Sequence, residues 1–178
     1  MRKHLSRSVL TGMILVALTG CPPEGGFPVP PFDTSGAYSG SWSGTSSDDA
    51  QTVAECPLEL TLTQNLSLAF PGDHGVQGVA TIDYTCIELP EWAQGETQPS
   101  TVEVGGVLES NGRLTLVSAA CGTGYCVVLS LAGQGEDADS DGLMYTYAGD
   151  WSYQILLAGF EPFGFEGTFV VDAAAPEA

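Results

Sequence analysis

The sequence has few basic side chains. Only 4 of its 178 residues are Lys or Arg, against 22 Asp or Glu, and three of these four, Arg2, Lys3 and Arg7, lie near the start. Beyond residue 20, the 22 acids face one Arg (Arg113), one His and no Lys, which gives a formal charge of −21. A chain so negative repels phosphate, which excludes nucleic-acid and nucleotide binding. Without Lys there is no Schiff base, and one His and one Arg are too few for most acid–base or phosphoryl-transfer sites. The composition therefore argues against an enzyme.

The sequence also has no apolar run long enough to cross a bilayer. Val9 to Leu18 spans ten mostly apolar residues, whereas a spanning helix needs roughly 20. Three basic residues precede this run, so residues 1–20 are typical of an export signal. The tetrapeptide Leu18-Thr19-Gly20-Cys21 follows, and it resembles the lipobox of bacterial lipoproteins.

The lipobox resemblance implies a membrane anchor. In that family the Cys sulfur receives a diacylglyceryl group, cleavage makes the Cys the first residue, and its amine is usually acylated as well. Two or three acyl chains on Cys21 would give stable anchoring, where one would be marginal. Pro22 stands where enterobacterial lipoproteins of the inner membrane carry Asp, which favours the outer membrane. The alternative is an ordinary secretory signal with a free or paired Cys21.

Composition divides the rest of the chain. Residues 21–36 contain five prolines and three glycines and predict an extended tether. No helical period occurs after residue 21; residues 37–171 predict one all-β domain, and residues 172–178 a frayed tail. Turn residues separate eight predicted strands, at 37–45, 57–69, 76–86, 101–109, 114–121, 125–133, 143–157 and 165–171. In the seventh, Ala148-Gly149-Asp150 predicts a bulge or a turn.

Alternation of side chains predicts one buried and one solvent-exposed face on each strand. In the second strand the inward parity holds five leucines, and the outward parity holds Glu59, Thr61, Thr63 and Ser67. The five leucines are Leu58, Leu60, Leu62, Leu66 and Leu68. Successive antiparallel strands must close or leave exposed edges. We therefore expect an eight-stranded antiparallel up-and-down barrel braced by disulfides, with a β-sandwich as the alternative.

Two sequence features resemble known barrel families. Gly40-Ser41-Trp42 opens the first strand and resembles the G-x-W motif of lipocalins and avidin-like barrels, in which the Trp closes one end. The late Arg that lipocalins stack on this Trp has no counterpart in the final strands. More broadly, residues 37–171 are similar to the small β-meander lipoproteins of bacterial envelopes, which implies a barrel domain on a lipid anchor.

The cysteines suit an oxidising compartment. With Cys21 lipidated, four cysteines remain, and three pairings are possible. Pairing Cys56 with Cys86 centres a hairpin on the turn at residues 71–75 and sets Leu58 opposite Tyr84. Pairing Cys121 with Cys126 closes a tight hairpin that sets Leu116 opposite Leu131. A third hairpin is predicted at Asn111-Gly112, where a glycine bulge aligns Leu108 with Leu114 or Leu116. The spacings C-x29-C and C-x4-C fit neither a zinc site nor a C-x-x-C redox pair.

Two groups of residues are candidate binding sites. The first half of a calcium loop is matched by Asp137, Asp139, Asp141 and Gly142. Such a loop also needs an acidic ligand near its end, and Glu136 or Asp150 could serve as that ligand. The alternative is a polar hairpin tip. Inward-facing rings either form the core or line a pocket for a small apolar or sugar-like ligand. The rings that would line it are Trp42, Tyr84, Tyr145, Tyr147, Trp151 and Tyr153; Tyr38, Phe165 and Phe169 share their parity.

The remaining candidates are single residues. Trp92 lies in a long acidic connection, where it is either exposed as a partner contact or folded over the barrel mouth. His74 lies in a predicted turn, and we expect it to be solvated and without a nucleophile partner. The sequence thus predicts a non-catalytic, monomeric, lipid-anchored envelope protein that binds a small ligand or an envelope partner. The alternative is a structural or surface-interaction protein with a filled barrel and a calcium-stabilised loop. A hydrolase that uses paired carboxylates is disfavoured.

Overall fold

Eight antiparallel strands form a closed barrel in chain order, with β8 pairing back onto β1. The computed structural model describes residues 29–65, 73–88, 91 and 101–174. The predicted all-β barrel is confirmed, and the sandwich alternative is wrong. The strands are β1 (Gly36–Ser46), β2 (Thr52–Asn65), β3 (Asp73–Ile82), β4 (Thr101–Glu109), β5 (Arg113–Gly122), β6 (Tyr125–Glu136), β7 (Thr146–Leu157) and β8 (Phe163–Ala173).

The alternation of side chains places the core inside the barrel. In β2, Leu58, Leu60 and Leu62 are at most 2% exposed, while Glu59 and the threonines of the opposite parity face solvent. Leu66 and Leu68, predicted to share the inward face, lie outside the described residues. Because every strand contributes a row of this kind, the core occupies the barrel axis rather than the space between two sheets.

Two short hairpins have the registers that the sequence predicts. Leu116 pairs with Leu131, and the disulfide Cys121–Cys126 joins residues directly opposite each other, with 4.1 Å between their Cα atoms. Leu108 pairs with Leu114 across a three-residue loop whose Gly112 has φ of +85°. A side chain at that φ is strained, which explains the glycine.

The β2–β3 register differs from the prediction by two residues. Leu58 pairs with Ile82 instead of Tyr84. The disulfide Cys56–Cys86 forms as predicted, with 6.0 Å between Cα atoms, but Cys86 lies in a short 3₁₀ turn that follows the strand rather than in the ladder. A bridge to a residue beyond the strand end does not fix the pairing, and a shift of two residues keeps each side chain on its predicted face.

The predicted irregularity in β7 is also wrong. Gly149 pairs in register with Gly133 on one side and Phe169 on the other. A Cβ at Gly149 would come within 2.3 Å of the Ala132 carbonyl oxygen, so this glycine permits close approach of β6 rather than a turn. A register shift does occur between β1 and β2, next to Glu55.

The barrel domain is longer than residues 37–171 at both ends. Phe32 and Thr34, placed in the predicted tether, are buried, and the Thr34 amide donates to Oε1 of Gln64 at 2.9 Å. At the other end, Asp172 lies in β8 and accepts a hydrogen bond from the Thr146 hydroxyl at 2.7 Å. The tether therefore ends before Phe32, and residues 172 and 173 belong to the barrel.

Candidate functional site

Aromatic rings pack together inside the barrel. The centroids of Trp42 and Trp151 are 4.0 Å apart, and Phe165 lies 6.0 Å from Trp42 in an edge-on arrangement. Trp42, Trp151 and Tyr153 are at most 4% exposed. Where the lipocalin pattern has an Arg against the first-strand Trp, this barrel has Trp151, whose indole N–H donates to the Ser43 carbonyl at 3.2 Å.

Tyrosine hydroxyls inside the barrel bond to the barrel's own backbone. Tyr147 is fully buried, and its hydroxyl hydrogen is shared between the carbonyl oxygens of Leu114 and Leu131, each at 3.0 Å. The Tyr38 hydroxyl donates to the Thr34 carbonyl at 3.0 Å. Burial raises the pKa of both phenols, and with Asp33 nearby that of Tyr38 reaches about 12. These hydroxyls serve the fold rather than a ligand.

Tyr145 does not belong to this interior set. Its side chain is 52% exposed, and Leu143, which shares its parity, is 51% exposed. The reason is that β7 begins only at Thr146; before it, Asp33 forms a bridge with Leu143, which turns Met144 inward instead. The Tyr84 side chain lies outside what the structure describes.

The acidic hairpin between β6 and β7 brings three carboxylates together. Asp137, Asp139 and Asp141 each offer an oxygen, and these oxygens lie within 4.8 Å of one another. Oδ2 of Asp137 accepts the Gly142 amide at 2.9 Å, while its buried Oδ1 has no partner among the described residues. Asp139 and Asp141 also accept nearby amides, an arrangement typical of tight polar turns. The geometry is compatible with both the calcium loop and the polar tip.

Asp150, predicted as a late calcium ligand, is not part of this group. It lies within β7, paired with Ala132 and Thr168, and is exposed. Asp150 lies four residues after Thr146, the first residue of β7, which places it roughly 13 Å along the strand from the hairpin. The loop itself therefore supplies the three carboxylates without Asp150.

His74 is buried rather than solvated. It is only 4% exposed, and neither ring nitrogen has a hydrogen-bond partner among the described residues. The prediction placed it in a turn because Pro71, Gly72 and Asp73 precede it, whereas β3 already begins at Asp73 and turns His74 inward opposite Leu108. Cys21 and Trp92 lie outside the described residues.

The barrel wall opens between β4 and β5. Their ladder covers only the four pairs from Gly105–Val117 to Leu108–Leu114. Next to this opening, a groove of about 790 Å³ crosses the outer faces of β3, β4 and β5, with Glu103, Gly105 and Ala119 in its lining. The sequence analysis missed it. Small residues lie on both strands here (Gly105, Gly106, Ala119 and Ala120), but glycine is frequent along the whole chain and does not by itself predict an opening.

Comparison with known proteins gives no family for this chain: no family model, curated protein or solved structure matches it. Among the residues that the structure describes, no helix is both long and apolar enough to cross a membrane.

Proposed function

We propose that this protein is a lipid-anchored lipoprotein of the bacterial envelope, without catalytic activity, whose barrel is a filled scaffold that binds a partner on its outer wall. The filled interior carries the proposal. Trp42, Trp151 and Phe165 pack against one another, and Tyr147 directs its hydroxyl to the backbone. The Tyr38 and Tyr147 hydroxyls, which could orient a small ligand, are already bonded to the backbone.

Sequence and charge support the anchor. The basic start, the apolar run and Leu18-Thr19-Gly20-Cys21 together fit a lipoprotein signal, and Pro22 favours the outer membrane. The buried Phe32 and the exposed Val29 mark where the chain meets the barrel. Residues 22–31 would then serve as the spacer between barrel and membrane, about 30 Å long if fully extended as polyproline.

Among the described residues, the carboxyl groups with a resolved pKa shift are acceptors in turns and give no support to a hydrolase. A hydrogen bond from the Ser46 hydroxyl lowers the pKa of Asp48, and one from the Thr85 hydroxyl lowers that of Asp83. Both carboxylates are exposed, and both bonds span two residues, as in ordinary turns. A hydrolase would instead hold one carboxyl with a raised pKa close to a second.

The proposal is tested on protein recovered from native membranes. Mass spectrometry of the terminal fragment is expected to show cleavage before Cys21 and a diacylglyceryl group on its sulfur, and a Cys21→Ser variant should lose the lipid and leave the membrane. Denaturing and extracting the same protein should release no small molecule in equimolar amount. An unmodified Cys21 with its leader attached would overturn the anchor, and an equimolar ligand would overturn the filled scaffold.

A further inference from the structure

The opening between β4 and β5 leaves two strand edges unpaired. β4 pairs with β3 along its whole length, from Thr101 to Glu109, and β5 pairs with β6 from Arg113 to Gly122. Between the two strands, pairing among the described residues stops at Gly105–Val117. Within the part of the chain that the structure describes, residues 101–104 and 118–122 thus each have one side without a strand neighbour.

Unpaired strand edges need backbone partners. In an antiparallel sheet, every second residue turns both its N–H and its C=O toward one neighbouring strand. Continuing the β4–β5 register would place Val104 opposite Ser118 and Glu103 opposite Ala119, yet no ladder forms there. Such an edge is a template for another extended chain, because main-chain hydrogen bonds supply affinity irrespective of sequence.

The groove beside these edges has room for side chains. A Cβ added at Gly105 would meet no atom within 4 Å apart from its chain neighbours. Val102, Val104 and Ser118 are buried on the inner side, and Val117 is 45% exposed on the outer side. The outward side chains of an incoming strand would therefore have space beside Glu103.

We propose that this opening binds an extended, basic segment of a partner protein, which enters as an additional strand between β4 and β5. The inference rests on the proposed outer-wall function and names its partner. Charge selects the occupant: Glu103 is the charged residue of the groove lining, and the chain beyond residue 20 carries −21. A second copy would bring the same negative charge to the contact, so self-association is disfavoured.

The test measures binding of a dye-labelled probe to the full chain in a neutral detergent at physiological ionic strength, by fluorescence anisotropy. The probe is acetyl-Lys-Val-Lys-Val-Lys-Val-Lys-amide, which alternates apolar and basic residues. Saturable binding is expected, weakened at least about tenfold by Gly105→Trp, which fills the groove. Ser39→Trp is the control, because Ser39 is exposed on β1, across the barrel from the opening. It should bind like the wild type.

Two modified probes separate the causes of binding. A peptide with the same charge but N-methylated backbone amides should bind weakly, because it lacks the ladder donors, and a peptide with Glu in place of Lys should not bind. Equal binding of the N-methylated peptide, or of the Gly105→Trp variant, would overturn strand addition and indicate general attraction by charge. Binding of the Glu peptide would overturn the basic partner.

The remaining outcomes also decide the question. Absence of probe binding would overturn the inference while leaving the lipid anchor and the filled scaffold, which mass spectrometry and extraction test separately. Concentration-dependent dimers in sedimentation, abolished by Gly105→Trp, would identify a second copy as the occupant and overturn the basic partner. Amide hydrogen exchange should in addition slow at residues 118–122 when the Lys probe binds.

Discussion

Glu55 has a backbone conformation that side chains disfavour. Its φ is +55°, at the point where the β1–β2 register shifts between Trp42 and Gly44. Two residues of β2 here oppose one of β1, and the Glu55 amide donates to the Ser43 hydroxyl at 3.1 Å. This is a β-bulge, and the left-handed position in such a bulge is the one that glycine fills without strain.

Replacing Glu55 with glycine should therefore stabilise the barrel. Glu55→Gly is expected to raise the free energy of unfolding by about 1 kcal/mol in denaturant titrations, since it removes the left-handed strain. Glu59→Gly is the matched control: it removes the same charge from an exposed position of β2 that lacks positive φ, and should lower stability by about 0.5–1 kcal/mol. Equal effects of the two variants would indicate that charge, not backbone strain, matters.

Local signals explain which features of single residues the sequence predicts. Alternation places Trp42, Trp151 and Tyr153 inside, because parity is fixed within a strand. Alternation fails for Tyr145, which precedes the start of β7, and the turn-like sequence before His74 wrongly predicts a solvated side chain. In both cases a strand boundary, which depends on pairing with distant chain, decides the orientation.

At the scale of elements, loop length controls how well registers are predicted. The β4–β5 and β5–β6 hairpins have three-residue and two-residue loops, and both registers agree with the prediction. The β2–β3 connection is longer and its predicted register is displaced by two residues. The opening between β4 and β5 could not be predicted, because it depends on how the closed barrel distributes its strands rather than on the hairpin itself.

The β6–β7 hairpin makes a separate prediction about cations. If its three clustered carboxylates hold calcium as an extracellular module does, millimolar Ca²⁺ should raise Tm by about 2–5 °C. The reason is that the ion relieves repulsion among Asp137, Asp139 and Asp141 in the folded hairpin. Circular dichroism melts with and without Ca²⁺ measure the shift.

Substitutions distinguish a specific site from general charge screening. Asp139→Ala and Asp141→Ala should each abolish the Ca²⁺ effect, whereas Asp150→Ala, which removes an equal charge from the middle of β7, should retain it. A Tm that does not respond to Ca²⁺, or the same shift in all variants, would leave the hairpin as a polar tip stabilised by its own amide hydrogen bonds.

At the scale of the whole molecule, a strongly acidic chain is built around a continuous apolar core. Four polar residues, Thr34, Ser46, His74 and Ser118, are buried beside that core, and two disulfides brace the wall. The fold class, both disulfides and most core rings could be predicted, because alternation and cysteine spacing are local patterns. The groove could not, because it depends on which edges remain unpaired after closure.

Alkaline titration tests the filled interior most directly. In the unfolded chain, Tyr loses its proton near pH 10, whereas burial raises the folded pKa of Tyr38 to about 12 and that of Tyr147 further. Between these values the folded chain holds more protons than the unfolded chain. The stability from these phenols is thus complete below pH 10 and is lost as pH rises through the folded pKa.

The measurement follows phenolate absorbance and circular dichroism together as pH is raised, for the wild type and for Tyr38→Phe and Tyr147→Phe. Subtracting the absorbance of each Phe variant from that of the wild type gives the phenolate signal of the replaced tyrosine. We expect this signal to appear only as the barrel unfolds, because both hydroxyls are enclosed and bonded to the backbone. Reversible ionisation of Tyr147 near pH 10 in a barrel that stays folded would contradict the filled interior, since water would then reach this hydroxyl.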